Sequence, residues 1–491
     1  MKLTRETWTL IALILASGIA FLDGSVVNVA LAAMDAELKL GLSGQQWVVD
    51  GYALTLSSFL ILGGSLGDRL GRRRVLVWGL IGFGVASLLC GLAPSGPLMV
   101  AARLFQGAAG ALLVPGALGI IRAMYDDDTA RGRAIGTWGA FTSVSGLIGP
   151  LLGGALVDSV GWRWVFLINL PLVSATVYIL LRFTTETNDG AVHGRLDWLG
   201  AVLIVLGLGG LSAGLIELPI LGVSSPLVLI GLIGGAICMV AFVVHQARTR
   251  DPMMPLSLFN SRAFSAINLV TLGVYFALGG APFFLPIYAQ NVLGLSATGS
   301  GTLLLPIPIL LFLFSRSVGV AAAKYGAKWF IASGAFIVAA GLALFVLLQP
   351  NSSFWTAIPG AVLLGLGLSL LVTPLTSTVM SAVPSERAGV GAAVNNVASR
   401  VAGLLAVAGL GVVFSLAFNA NLSARLERVR LTTDAAAALE KAEAAPTAKA
   451  VEPVISLVRA AQTDGLHAAM LFCAGMSALG GIVAAVGLPK K

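Results

Sequence analysis

The sequence predicts an all-α polytopic membrane protein: two six-helix bundles with a pseudo-twofold relation, plus two linking transmembrane helices, fourteen spans in all. Of its 491 residues, 57% are hydrophobic and only 11% are charged, whereas a water-soluble chain needs a polar exterior. Apolar runs of about 20 residues, long enough to cross a bilayer as a helix, recur along the whole chain. Polar breaks rich in basic residues separate these runs.

The predicted spans are numbered 1 to 14 in chain order. They cover residues 8–34, 45–66, 75–94, 97–123, 132–158, 163–182, 196–218, 224–246, 263–290, 299–322, 328–349, 353–380, 389–420 and 465–487.

The spans group into three predicted parts. An N-terminal six-helix bundle takes residues 1–182, the two linking spans with their flanking loops take 183–262, and a C-terminal six-helix bundle takes 263–491. A weak internal similarity between residues 112–149 and 370–409 is typical of transporters built from repeated bundles. Segment 421–464, between spans 13 and 14, is rich in Ala, Glu, Lys and Arg. Its composition predicts surface helices, broken at its prolines 446 and 453.

Loop charge sets the predicted orientation. Most basic residues, including the run at 69–74, fall on one side of the predicted membrane, and the short loops of the other side hold only Lys39 and Arg163. By the positive-inside rule, both termini and the basic run face the cytoplasm. The net charge of +8 therefore follows from topology and gives no reason to expect nucleic acid as a partner.

Six motifs occur in order along the chain. They are LDGSVVNVAL (22–31), QQWVVDGYAL (45–54), GDRLGRRRVL (67–76), RLFQGAAGA (103–111), GLIGPLLGG (146–154) and WRWVFLINLP (162–171). Together they resemble the major facilitator superfamily, and more narrowly its fourteen-span branch of bacterial drug:proton antiporters. Three positions depart from the family pattern without removing a charge: Ser25 replaces Thr, Ala32 replaces Pro, and Ser145 replaces Gly.

The resemblance implies a function. A protein of this branch exports amphipathic, cationic or zwitterionic drugs by alternating access, in exchange for protons, across the cytoplasmic (inner) membrane of a bacterium. Its partners are these small molecules, protons and the lipid bilayer. It needs no cofactor, because the proton gradient drives it, and it is expected to act as a monomer.

Three charged side chains lie inside the predicted spans of the first bundle. Asp23 is near the middle of span 1, where an unpaired ionised carboxylate costs about 3 kcal/mol or more, and we expect it to face the bundle interior. Asp50 lies about five residues from the outer end of span 2 and Arg103 about six from the outer end of span 4. Since neighbouring spans run antiparallel, the three are predicted to share a water-filled pocket in the outer half of the N-terminal bundle. The resemblance links these positions to proton coupling and cation recognition, with Asp23 first and Asp50 second. The alternative is a structural ion pair.

Other polar residues complete the predicted coupling and substrate-binding site. They are Asn28, Gln106, Asn395, Asn396 and Arg400. Span 13 contains no acid, which concentrates the predicted coupling on the first bundle. For Arg400, a packing role is an equal alternative.

A conformational latch is predicted at the basic turn between spans 2 and 3. Its members are Gly67, Asp68, Arg69, Gly71, Arg72 and Arg73, together with the acidic run Asp126, Asp127 and Asp128 that follows span 4. The arginines are expected to pair with this run in one conformation only, as the resemblance implies. The alternative is that these charges serve topology alone.

Span 5 carries the motif that the resemblance associates with antiporters. Gly149, Gly153 and Gly154 remove side chains and Pro150 removes a backbone donor, which permits close helix contact and bending. Ordinary small-residue packing is the alternative for Gly153 or Gly154 taken singly.

Other classes of function fit less well. The chain has no phosphate-binding Gly-Lys-Ser/Thr loop, which argues against an ATP-driven pump. Its three histidines are scattered, so we predict neither a metal site nor a catalytic triad, and no enzyme activity. Export of an endogenous lipid or metabolite by the same mechanism remains an alternative. A channel or a non-transporting receptor is disfavoured by the latch and antiporter motifs.

Overall fold

The computed structural model describes residues 4–187, 196–384, 388–426 and 433–489. Within these ranges the chain is helical and contains no β-strand. Fourteen of the described helices are long and apolar enough to cross a membrane. The predicted fold class, an all-α multi-pass membrane protein, is confirmed.

The observed spans keep the predicted order. They are Arg5–Leu38, Gly41–Leu70, Arg72–Gly91, Gly96–Met124, Thr129–Ser159, Trp164–Phe183, Trp198–Leu221, Pro226–Arg248, Arg262–Asn291, Ala297–Tyr325, Ala327–Leu347, Phe354–Ser381, Gly389–Leu426 and Ile455–Gly487.

The segment between spans 13 and 14 is shorter than predicted. Span 14 begins at Ile455, ten residues before the predicted start at 465. Its early turns are buried against the preceding segment. Ala461 is 0% exposed, and the Gln462 amide donates to the carbonyls of Pro446 and Ala448 at 2.9 and 2.7 Å. A separate helix, Thr433–Ala444, precedes it. The predicted breaks at the two prolines are confirmed, since this helix ends before residue 446 and span 14 starts after residue 453.

Two spans are interrupted by proline in a way that matters for the site. Span 4 consists of helices Gly96–Gly110 and Leu113–Met124, and span 6 of Trp164–Leu167 and Asn169–Phe183. A proline cannot donate to the carbonyl four residues earlier. For Pro115 that carbonyl belongs to Ala111, in the break of span 4, and for Pro171 it belongs to Leu167, the last residue before the break of span 6. The break in span 6 places Asn169 at the start of its longer helix.

By internal contacts the chain forms two compact units. The N-terminal unit is Met1–Lys39, Trp47–Leu206 and Cys238–Met253, and the C-terminal unit is Leu40–Gln46, Gly207–Ile237 and Met254–Lys491. Each linking span is thus divided between the units, whereas the sequence analysis treated both as a separate part; the functional boundaries at 182 and 262 stay a prediction. The core of the N-terminal unit is apolar and centres on side chains such as Phe83, which is 0% exposed.

Close backbone contact holds the helices of the C-terminal unit together. A Cβ atom on Gly334 of span 11 would lie 2.7 Å from the Gly367 carbonyl of span 12, and one on Gly210 of span 7 would lie 2.9 Å from the Gly231 carbonyl of span 8. Small residues at helix interfaces allow this approach and are the usual means of helix association in lipid.

Candidate functional site

Asp23 is the centre of a buried polar network in the N-terminal unit. Its side chain is 0% exposed. Arg103 Nη1 contacts Asp23 Oδ2 at 2.5 Å, while Gln106 Nε2 and Asn169 Nδ2 donate to Asp23 Oδ1 at 2.9 and 3.2 Å. Both carboxylate oxygens are therefore occupied, which is the condition under which a buried charge is tolerated.

Arg103 is held from several sides. Its side chain is 2% exposed; Nε donates to the carbonyl of Val48 at 2.8 Å, and Nη1 also donates to Gln106 Oε1 at 2.7 Å. The guanidinium lies over the ring of Tyr52, 4.3 Å from its centroid. Arg103 and Gln106 share one face of span 4, three residues apart, so a single helix presents both to Asp23.

Two members of this network were missed by the sequence analysis. Ser87 accepts from Gln106 Nε2 at 2.9 Å and from Asn169 Nδ2 at 3.2 Å, and both Ser87 and Asn169 are at most 1% exposed. The signal for Asn169 was present, because it is the only amide of the WRWVFLINLP motif and stands two residues before Pro171. Ser87 lies in a run of small and apolar residues that gave no signal.

Asp50 has different surroundings. It is 1% exposed, and among the described residues neither of its carboxylate oxygens has a hydrogen-bond partner. Asp23 and Arg103 are therefore brought together as predicted, but Asp50 is not part of their network. Asp23, Asp50 and Arg103 are each at most 1% exposed, and the water-filled pocket between them stays a prediction.

The remaining predicted site residues are scattered. Asn28 is half-buried on span 1. In the C-terminal unit, Asn395 Nδ2 donates to Asn268 Oδ1 at 3.1 Å and to Thr271 Oγ1 at 2.8 Å, so Asn395 joins a neutral network. Asn396 is exposed and Arg400 is half-buried.

The antiporter motif of span 5 packs directly against span 1 beside Asp23. A Cβ atom on Gly149 would collide with the Ser25 hydroxyl, and one on Gly153 would lie 2.9 Å from the Val26 carbonyl. The predicted close helix contact is confirmed for these two glycines. Gly154 is buried and Pro150 half-buried in the same helix.

The basic turn has other partners than those predicted. Arg72 Nε pairs with Asp68 Oδ1 at 2.8 Å within the turn, and Asp127 Oδ2 accepts from the Ala130 backbone at 2.7 Å, which caps span 5. Among the described side chains the arginines of the turn make no ion pair with Asp126 or Asp127 in this conformation. Since that pairing was predicted for one conformation only, it stays a prediction. The side chain of Asp128 lies outside the described part of the chain.

Other members of the predicted latch take up further positions. Arg69 is half-buried. Gly67 is buried in the last turn of span 2, and Gly71 has a positive φ of 104° between spans 2 and 3. Arg73 is approached by Glu186, an acid that the sequence analysis did not single out: its backbone N–H donates to Glu186 Oε1 at 2.9 Å.

Comparison with known proteins adds the family context. The family model of the Major Facilitator Superfamily matches residues 13–407. The methylenomycin A resistance protein of Bacillus subtilis (strain 168) is 33% identical over 84% of this chain and 89% of its own length. The multidrug efflux pump LfrA of Mycolicibacterium smegmatis is 30% identical over 97% of this chain and 96% of its own.

Solved structures agree on the fold. The inward-facing, unoccupied crystal structure of a bacterial homolog to the human lysosomal transporter Spinster superposes with a TM-score of 0.65 at 18% identity, covering 98% of both chains. A POT family transporter in complex with 5-aminolevulinic acid gives a TM-score of 0.67 at 13% identity, covering 97% of this chain and 94% of that one. At these identities the likeness concerns the fold alone.

Proposed function

This chain belongs to the major facilitator superfamily, and on that premise we propose that it exports amphipathic, cationic or zwitterionic drugs in exchange for protons. It acts in the cytoplasmic membrane of a bacterium with both termini inside, needs no cofactor and works as a monomer. Relatives named for antibiotic resistance and multidrug efflux support export of drugs. The buried charges of the N-terminal unit support coupling to protons.

The observation that carries the proposal is the contrast between two buried carboxyls. Asp23 has its charge balanced by Arg103 and its oxygens filled by three donors. Asp50 is equally buried, but among the described residues its oxygens have no donor. An isolated buried carboxylate costs several kcal/mol, roughly, and a neutral acid costs far less. In this conformation we therefore assign the proton to Asp50, while Asp23 is the hydrogen-bonded partner of Arg103.

This assignment reverses the order expected from the sequence, in which Asp23 came first. The exchange of drug for proton then follows because the two compete for Asp50. When its proton leaves, the carboxylate needs a positive charge nearby, and a cationic drug supplies one. Proton and drug are thus alternative occupants, and each favours the conformation in which it binds better.

Proton release on drug binding tests the proposal. Tetraphenylphosphonium is added to the purified protein at fixed pH in weak buffer, and the released protons are measured for wild type, Asp50→Asn and, as a matched control, Glu440→Gln on the exposed face of helix Thr433–Ala444. We expect release from wild type and from the control, and none from Asp50→Asn. Undiminished release from Asp50→Asn would move the coupling back to Asp23.

A further inference from the structure

The four residues after span 6 form a strap along the basic turn. The Thr184 carbonyl accepts from Arg73 Nη1, and the Thr187 carbonyl accepts from the Arg72 backbone N–H, both at 2.9 Å. The strap is also anchored at its start, because the Phe183 carbonyl accepts from Arg5 Nε at 2.8 Å. The end of span 6 is thereby tied to the start of span 3 and to the start of span 1.

Glu186 makes the central contact of this strap. Its Oε1 accepts from the backbone N–H of Arg73 at 2.9 Å and its Oε2 from that of Arg74 at 3.1 Å, and Arg73 Nε lies 3.9 Å from Oε2. The first N–H groups of a helix have no partner within the helix and attract negative charge. Residue 71, which precedes span 3, is a glycine without a capping side chain. Glu186 therefore caps span 3 from more than 100 residues away.

Gly71 is shaped for this contact. Its φ of 104° lies in a region that side chains rarely adopt, and a Cβ atom there would be 2.7 Å from Glu186 Cδ. The glycine therefore serves both the turn and the close approach of the carboxylate. Two independent observations therefore point to Glu186: its two hydrogen bonds to backbone N–H groups of span 3, and the absence of a side chain at Gly71, which lets its carboxyl approach.

We propose that Glu186 is a positioning residue of the transport cycle: its carboxylate fixes the start of span 3 and holds the basic turn in the conformation observed. It fills the role that the sequence analysis gave to the acidic run at 126–128. The side chain is 34% exposed, so the carboxylate can leave without opening the core. Once it leaves, Arg73 loses its counter-charge, and the turn is free to rearrange. The link to transport rests on the proposed function, but the cap itself does not.

Hydrogen exchange tests the cap without any drug. In Glu186→Gln, the amides of residues 72–76 should exchange about fivefold faster than in wild type, the factor expected when a helix loses its N-terminal cap. The matched control is Glu6→Gln, a glutamate in the first turn of span 1 that should leave this peptide unchanged. Unchanged exchange in Glu186→Gln would overturn the proposal.

A double-variant cycle tests the contact with Gly71. Gly71→Ala should lower the melting temperature less in a Glu186→Ala background than in wild type, because the collision with the carboxyl is then absent while the backbone strain remains. Equal losses in both backgrounds would mean that Glu186 does not approach Gly71 as described.

Drug export measured in the same variants separates positioning from simple stabilisation. We expect Glu186→Gln to transport tetraphenylphosphonium at least about threefold more slowly at unchanged binding affinity, as for a residue that acts on a conformational step. If Glu186→Gln shows faster amide hydrogen exchange but exports the drug at the wild-type rate, Glu186 is a structural cap only, and the positioning role is overturned. If wild type itself exports nothing, the proposed function fails, together with the positioning role, while the exchange and melting results still decide the cap.

Discussion

The two units differ in what they bury. Within the described residues, the charged residues that are buried as a whole all belong to the N-terminal unit: Asp23, Asp35, Asp50 and Arg103. The side chain of Asp197, in the same unit, is 4% exposed. The buried polar side chains of the C-terminal unit are amides and hydroxyls, such as Asn268 and Thr271. Amides and hydroxyls keep their hydrogen bonds at any physiological pH, whereas a buried carboxyl gains or loses its charge and changes its hydrogen bonds when it is protonated. Under the proposed function, the carboxyls on which protons act therefore lie in the N-terminal unit, and the buried polar side chains of the C-terminal unit supply neutral hydrogen bonds.

The largest expected effect comes from breaking the buried ion pair. Asp23→Asn leaves the Arg103 guanidinium buried without a counter-charge, and removing one partner of such a pair costs about 3–5 kcal/mol. We expect a clearly lower melting temperature in detergent and loss of export. The double variant Asp23→Asn/Arg103→Gln should recover much of the stability but none of the export.

Recovery of stability by the double variant is the decisive measurement for this pair. Without recovery, the loss in Asp23→Asn would come from Gln106 and Asn169, which would lose an acceptor, and not from the unpaired charge. A single variant as stable as wild type would contradict the charge contrast between the units.

The fold was predictable because hydropathy and loop charge dominate a membrane chain. The ion pair was predictable too, since charges at mid-membrane have to meet inside a bundle. The isolation of Asp50 was not, because nearly all residues of these spans are apolar and the sequence pattern leaves the rotation of each helix about its axis open. Glu186 was missed because it lies in a polar loop, where an acid is ordinary. Its role depends on a contact with Gly71, far away in the sequence.

A smaller effect is expected from the neutral network of the C-terminal unit. Asn395→Ala removes two hydrogen bonds, to Asn268 and Thr271, at a cost of about 1–2 kcal/mol. The loss of melting temperature should be the same at pH 6 and pH 8, since no group of this network titrates there. The adjacent Asn396 is exposed, so Asn396→Ala is the matched control and should leave the melting temperature unchanged. A pH-dependent loss in Asn395→Ala would mean that this unit also senses protons.

The smallest change in melting temperature is expected for Asp197, next to the part of span 7 that belongs to the N-terminal unit. Asp197 precedes span 7, and its side chain is 4% exposed. Oδ1 accepts from the Gly200 N–H at 2.8 Å and contacts His245 Nε2 at 2.7 Å, while Oδ2 accepts from Gln246 Nε2 at 2.6 Å. Burial alone raises the pKa of the Asp197 carboxyl, but these hydrogen bonds outweigh it and hold the pKa below its ordinary value.

The sign of the resulting pH dependence follows from that lowered pKa. A carboxyl with a lower pKa in the folded state stabilises the fold above its unfolded pKa, about 3.9, and loses this contribution as pH falls through the folded value. Asp197→Asn should therefore melt about 2 °C lower than wild type at pH 7, for a loss of about 1 kcal/mol, and the difference should shrink below pH 4. Asp126→Asn, at an exposed acid, should show no difference at either pH. A difference in melting temperature between Asp197→Asn and wild type that persists at pH 3 would assign the effect to hydrogen-bond geometry instead of charge.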